Sequence, residues 1–142
     1  MRALLDVNVL IALLDSDHAS HGAAMHWFER HAREGWASCP ITENGCIRIM
    51  ANAGYPNALP VQAVIKHLAD ARDPDLHEFW TDEISLLDGD TIDRSRIHGP
   101  RQITDIYLLA LATSHGGRFV TFDGKIPLAA VRQATQKNLL VL

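Results

Sequence analysis

The sequence predicts an α/β domain in which a small parallel sheet is covered on both faces by helices. Three observations support that class. Short apolar or strand-like runs at Ala3–Leu5, Trp36–Cys39, His77–Trp80, Arg118–Thr121 and Leu139–Leu142 alternate with longer stretches of helical character. Acids stand just beyond two of those runs, Asp6 and Asp123. The 142 residues, 47% hydrophobic and 21% charged, suit one domain over residues 1–142 with its own core.

Each element follows from local chemistry. Ala3-Leu4-Leu5 is a buried first strand ending at Asp6, and Val9–Leu14 is a short helix. Ser20 is the expected N-cap of the next helix, where Ala24, Trp27, Phe28 and His31 fall on one face before Gly35 closes it. Trp36–Cys39 is the second strand. Pro40, whose missing N–H does no harm at a first helical position, opens a helix to about Ala53. Gly54, Pro56 and Pro60 break the chain before a helix over Val61–Ala71. His77–Trp80 is the next strand, followed by polar ground with a helical piece around Thr91–Arg96. Thr104 is the expected cap of an apolar helix from Asp105 to His115, closed by Gly116-Gly117. Arg118–Thr121 and Leu139–Leu142 complete the sheet.

Thirteen Lys and Arg against seventeen Asp and Glu give a net charge of −4, which argues against coating nucleic acid by bulk positive charge. The distribution says more. Residues Asp70 to Asp93 hold nine acids against Arg72 alone, while the chain after Asp123 carries Lys125, Arg132 and Lys137 and no acid. The first segment reads as a solvated face that repels other polyanions. Cys39 and Cys46 match neither a redox pair nor a zinc knuckle and read as buried hydrophobes in a reducing compartment. With no signal-like segment and no apolar run near the ~18 residues of a membrane span, a soluble cytoplasmic protein is expected.

Ligand sites of open parallel sheets lie at the carboxyl ends of the strands. Asp6 and Asp123 fall there, and Glu43 and Asp105 lie in the first turns of helices that start on the same side. Singly, the two helical acids are ordinary favourable charge at a helix N-terminus. Together, each of the four stands near a small polar residue: Asp6 with Asn8, Glu43 with Thr42, Asp105 with Thr104, and Asp123 with Thr121. Four like charges in one cleft repel unless a cation sits among them. Hard oxygen donors select Mg2+ or Mn2+, which can polarise a phosphodiester and activate water.

These residues, in this order, resemble the PIN-domain family. Asp6-Val7-Asn8, Thr42-Glu43, Thr104-Asp105 heading an apolar helix, and Thr121-Phe122-Asp123 follow the family pattern over the whole chain. The stretch Arg101–Ala110, with Gly117–Asp123 after it, is similar to VapC-type toxins in particular. The resemblance implies a three-layer α/β/α domain and an Mg2+- or Mn2+-dependent endoribonuclease. It also implies a toxin restrained by a VapB-type antitoxin, and a homodimer. Carried over by position, Asp6, Glu43, Asp105 and Asp123 are the catalytic and metal-holding set, with Asn8, Thr104 and Thr121 supporting. One departure is Gly124-Lys125 after Asp123, where many relatives offer another polar or acidic group.

The remaining candidates carry less. His18 and His21 lack a third zinc ligand, and His21, His26 and His31 fall at five-residue steps that do not share a helical face. Trp27, Phe28 and Tyr107 read as packing. Arg48, Arg101 and Lys125 lie near the acids in sequence and are candidate RNA phosphate contacts. Two alternatives stand beside the ribonuclease. A haloacid-dehalogenase-like phosphatase would use Asp6 as nucleophile, although Asn8 occupies its acid/base position. A catalytically inactive PIN-like module would only bind RNA or protein.

Overall fold

The computed structural model describes all 142 residues. Five parallel strands form one sheet: β1 (Ala3–Leu5), β2 (Trp36–Ser38), β3 (His77–Phe79), β4 (Arg118–Thr121) and β5 (Leu139–Val141), in the order β3-β2-β1-β4-β5. The helices are α1 (Val7–Leu14), α2 (His21–His31), α3 (Pro40–Met50), α4 (Val61–Ala71) and α5 (Ile103–Ser114). No helix is long and apolar enough to cross a membrane.

Strand alternation separates two cores. Leu4, Ala37 and Phe119 point to one face and pack with Ile106, Leu108 and Leu109 of α5. Their neighbours Ala3, Leu5, Trp36 and Val120 point to the other, against Val9 and Leu10 of α1, Cys46 and Met50 of α3, and Val64 and Leu68 of α4. The result is the three-layer arrangement anticipated from the sequence. Leu4, Leu5, Phe119 and Val120 are at most 1% exposed, and each large apolar side chain so buried is worth about 1.5–3 kcal/mol. Helices α1 and α3 cross closely at Gly45, where a Cβ would lie 2.7 Å from Val7 Cγ2.

The topology also places a site. The chain runs outward from β1 to β2 and β3, then crosses back to begin β4 on the other side of β1. The direction reverses between β1 and β4, and the crevice beyond their carboxyl ends is where open parallel sheets bind ligands.

Several element boundaries differ from the sequence expectation. Helix α1 begins at Val7, two residues earlier than expected, because Asp6 caps it. Ser20 precedes α2 but makes no side-chain cap. Cys39 is the N-cap of α3 and not a strand residue, and α3 stops at Met50. The piece near Thr91–Arg96 is a 3-10 turn over Arg94–Arg96, capped by Asp93. Cys39 and Cys46 are free and buried, and burial pushes the Cys46 thiol up to about 12, leaving it inert near neutrality.

Candidate active site

Asp6 occupies the junction between β1 and α1 and is only 8% exposed. Its Oδ1 accepts from the Val7 N–H at 2.7 Å and its Oδ2 from the Thr121 hydroxyl at 2.6 Å. Burial raises the Asp6 pKa, the two hydrogen bonds pull it back, and the charge of Asp123 adds to the rise.

Thr121, at the end of β4, is fully buried and organises the neighbouring groups. Besides donating to Asp6, its Oγ1 accepts from Asn8 Nδ2 at 3.3 Å and from the Asp123 N–H at 3.0 Å. Asn8 in turn accepts from the Phe122 N–H through Oδ1 at 3.3 Å. Both ends of the Asn8 amide are therefore engaged in joining α1 to β4, which leaves it unlike the acid/base of the phosphatase alternative. Asp123 closes a tight turn, its Oδ1 accepting from the Lys125 N–H at 2.8 Å.

Asp105 enters from the opposite layer, in the first turn of α5. Its carboxyl is pushed up to about 6, first by burial and then by the charges of Asp6 and Asp123. Three aspartates from three separated segments thus share one electrostatic environment. None of them has a Lys, Arg or His ion-pair partner. Thr104 does not cap this helix: a 3-10 turn over Pro100–Gln102 leads directly into α5, Gln102 holds the cap position, and Thr104 is exposed.

Glu43 lies in the first turn of α3, which is locked where Thr42 Oγ1 accepts from the Cys39 N–H at 3.0 Å. Its surroundings differ from those of the three aspartates. Ser38, at the end of β2, donates to Glu43 Oε1 at 2.6 Å, and Arg72 Nη1 stands 3.4 Å from the same oxygen. Ser38 Oγ is also 2.7 Å from His77 Nε2, and Arg72 Nε donates to His77 Nδ1 at 3.4 Å. The His77 pKa is lowered to about 4, mainly by burial, with Arg72 and Arg2 adding to the effect, so the ring is neutral near pH 7.

Sequence reasoning did not select Ser38, Arg72 or His77. Ser38 ends a central strand, so the strand-end rule that selected Asp6 applies to it equally. Arg72 and His77 carry no such signal, since only the fold of α4 and β3 around β2 brings them to Glu43.

The three basic candidates are all exposed. Lys125 sits in the turn made by Asp123, and Arg101 lies in the 3-10 turn that leads to Asp105. Arg48 is on the outer face of α3, in a depression with Ile49, Asn52 and Tyr55. That depression shares Ile49 and Tyr55 with a groove of about 320 Å³ that reaches Asp6 and Asn8 past Ile11 and His18. An entirely apolar pocket of about 260 Å³ lies between α1, α2 and α4, away from the acids. Of the histidines near one another in sequence, His18 Nδ1 accepts from the Ser20 N–H, and His21 Nδ1 faces the Ala12 carbonyl.

The donor set fits a divalent cation. It consists of hard carboxylate oxygens, and the three aspartates lack a basic partner; burial first, then the charges of Asp6 and Asp123, raise the Asp105 pKa. No three acidic, His or Cys side chains converge on one point as a ready-made cage. Mg2+ needs none, because it keeps several waters and takes only one or two carboxylates directly.

Comparisons with known proteins bear on the family and the fold. The PIN domain family profile matches residues 3–132. Ribonuclease VapC44 of Mycobacterium tuberculosis is 53% identical over 142 residues, covering all of both chains. Ribonuclease VapC39 of the same organism is 43% identical over 127 residues, covering 89% of this chain and 91% of the relative. The crystal structure of VapBC2 from Rickettsia felis, bound to a DNA fragment from its promoter, superposes with a TM-score of 0.65 at 13% identity, covering 99% of this chain and 98% of that one. Mycobacterium tuberculosis VapC20, a Sarcin-Ricin loop cleaving toxin, superposes with a TM-score of 0.62 at 12% identity, covering 93% and 98%. With the family profile matched over residues 3–132 and a relative 53% identical over both full lengths, this chain belongs to the PIN-domain family, among its VapC-type ribonucleases.

Proposed function

We propose that this chain, acting as one domain, is the toxin of a VapBC-type pair and hydrolyses RNA phosphodiester bonds with Mg2+ or Mn2+ held by Asp6, Asp105 and Asp123, and by Glu43 as a further ligand. The observation that supports this reading is that burial and the charges of Asp6 and Asp123 push Asp105 up to about 6, while none of the three aspartates has a basic partner. A bound divalent ion supplies the positive charge that polarises the phosphodiester, lowers the pKa of water and stabilises the leaving oxygen.

The chain's own groups do the rest. Thr121 and the Val7 N–H fix both oxygens of Asp6 on the protein side, so its carboxylate presents one orientation to the crevice. Asn8 holds Phe122 and Thr121 in register with α1. Water attacks phosphorus in line and the 3′-oxygen departs, leaving 5′-phosphate and 3′-hydroxyl ends. Arg48, Arg101 and Lys125 position the RNA backbone without reading sequence. Thr104, exposed beside Asp105, is a supporting polar group of the acidic set and not a helix cap.

On the same reading the protein works in the cytoplasm as a homodimer. A VapB-type antitoxin silences it by placing a basic side chain among the acids. The test is to map cleavage ends across total RNA with purified protein, with and without Mg2+ or Mn2+. Ion-dependent ends bearing 5′-phosphate are expected, and they should vanish in Asp6→Ala and Asp105→Ala. Products with 2′,3′-cyclic phosphate, or full activity in excess EDTA, overturn the reading.

A further inference from the structure

Glu43 differs from the other acids in having a resident positive partner. Three side chains, Arg72, His77 and Ser38, close a ring with it, and only one set of proton positions satisfies every link. The Arg72 guanidinium can only donate, so His77 Nδ1 receives its N–H and the neutral imidazole carries its proton on Nε2. That N–H donates to Ser38 Oγ, whose single hydroxyl hydrogen is then directed to Glu43 Oε1 at 2.6 Å. Arg72 Nη1 closes the ring on the same oxygen at 3.4 Å. The guanidinium is further steadied 5.6 Å over the Phe79 ring. Meanwhile the charges that act on Asp105 are those of Asp6 and Asp123.

We propose that Arg72 is a positioning residue that acts as the built-in counter-ion of Glu43, holding its carboxylate apart from the three aspartates so that a divalent cation must compete with Arg72 to recruit the fourth acid. This rests on the metal-dependent reading above. In the metal-free protein the Arg72 guanidinium offsets the Glu43 charge. Because Ser38 and Arg72 both engage Oε1, Oε2 is the atom left to meet a cation. The arrangement keeps cation affinity below what four free carboxylates would give.

The experiment is a double-mutant cycle on Mn2+ binding, measured by isothermal titration calorimetry on metal-free full-length protein. The proteins are wild type, Arg72→Met, Glu43→Gln and the double variant, each checked for folding by circular dichroism. Arg72→Met should tighten Mn2+ binding roughly tenfold, and Glu43→Gln should weaken it. In the Glu43→Gln background, removing Arg72 should change the dissociation constant by less than about twofold. If Arg72→Met does not fold, Arg72→Lys keeps the charge but cannot fork between His77 and Glu43, and it should tighten binding by a smaller factor. Unchanged or weaker binding in the Arg72 variants overturns the proposal. So does equal tightening with and without Glu43, because Arg72 would then act as a remote charge. A wild-type protein that takes up no Mn2+ overturns the metal reading itself, a failure seen without any variant.

Discussion

The Thr121 hydroxyl donates to Asp6 Oδ2 at 2.6 Å, tying the carboxyl ends of the adjacent parallel strands β1 and β4 into one site. The direction of that bond is forced. Asn8 Nδ2 and the Asp123 N–H both aim donors at the same oxygen, so its single hydrogen can only go to Asp6. Thr121→Val should therefore leave the buried Asp6 oxygen without its donor. The expected cost is about 1–3 kcal/mol of stability and a roughly 10- to 100-fold loss of cleavage, with Thr121→Ser retaining most of both. Urea denaturation and RNA cleavage rates check this, and a Val variant as active as wild type would refute the positioning role.

Asp105 gives a pH dependence of defined sign. Its carboxyl titrates near 6 in the folded chain against an ordinary 3.8, so the folded state disfavours its ionised form. The cost is absent below about pH 4, grows between about 4 and 6, and is complete above 6. Asp105→Asn should thus stabilise the metal-free protein at pH 7.5 by about 1–2 kcal/mol after allowance for solvent screening, while abolishing cleavage. Denaturation in EDTA at pH 4 and 7.5 should show the gain at the higher pH alone.

Metal removal is the complementary experiment. A cation that binds only the folded chain at about 100 times its dissociation constant adds roughly 2.7 kcal/mol of stability. Mn2+ should raise the melting temperature of wild type and leave that of the Asp6→Ala, Asp105→Ala double variant near its metal-free value. Equal shifts in both would place the ion elsewhere.

Gly45 tests the scaffold beneath the site. Gly45→Ala sets a methyl 2.7 Å from Val7 Cγ2, at the crossing of the helices that carry Asp6 at one end and Glu43 at the other. Overpacking of this kind costs about 1–3 kcal/mol. The melting temperature should fall, and Val7→Ala in the same chain should restore part of the loss.

Lys125 and Arg101 bear on substrate contact. If each meets one phosphate, Lys125→Gln and Arg101→Gln should each reduce the slope of log affinity against log salt by about 0.7 for single-stranded RNA. Fluorescence anisotropy across a salt series measures it. An unchanged slope removes that residue from the interface.

The class of fold and most of the acidic set were legible because they depend on local signals. Three- and four-residue apolar runs ending in Asp6 and Thr121 mark strands and their carboxyl ends, and Pro40 marks a helix start whatever surrounds it. Thr104 shows where local signals fail. A polar residue before an apolar helix looks like a cap, but a preceding 3-10 turn had already satisfied the chain entry at Gln102. Glu43 shows it again. Composition counted four equivalent acids, whereas one of them faces Arg72.

What the sequence determined alone was the order and chemistry of the parts: alternating strands and helices, acids at strand ends and helix starts, and a pattern similar to the PIN-domain family. Tertiary structure decided which of those acids share an environment. The crossing from β3 back to β4 brings Asp123 and Thr121 beside Asp6, and α5 lowers Asp105 onto both. The same sheet order sets β3 and the end of α4 beside β2, so that Arg72 and His77 reach Glu43 across a sequence separation no local pattern records. Charge interactions depend on distance in space and on desolvation, and both are properties of the packed chain.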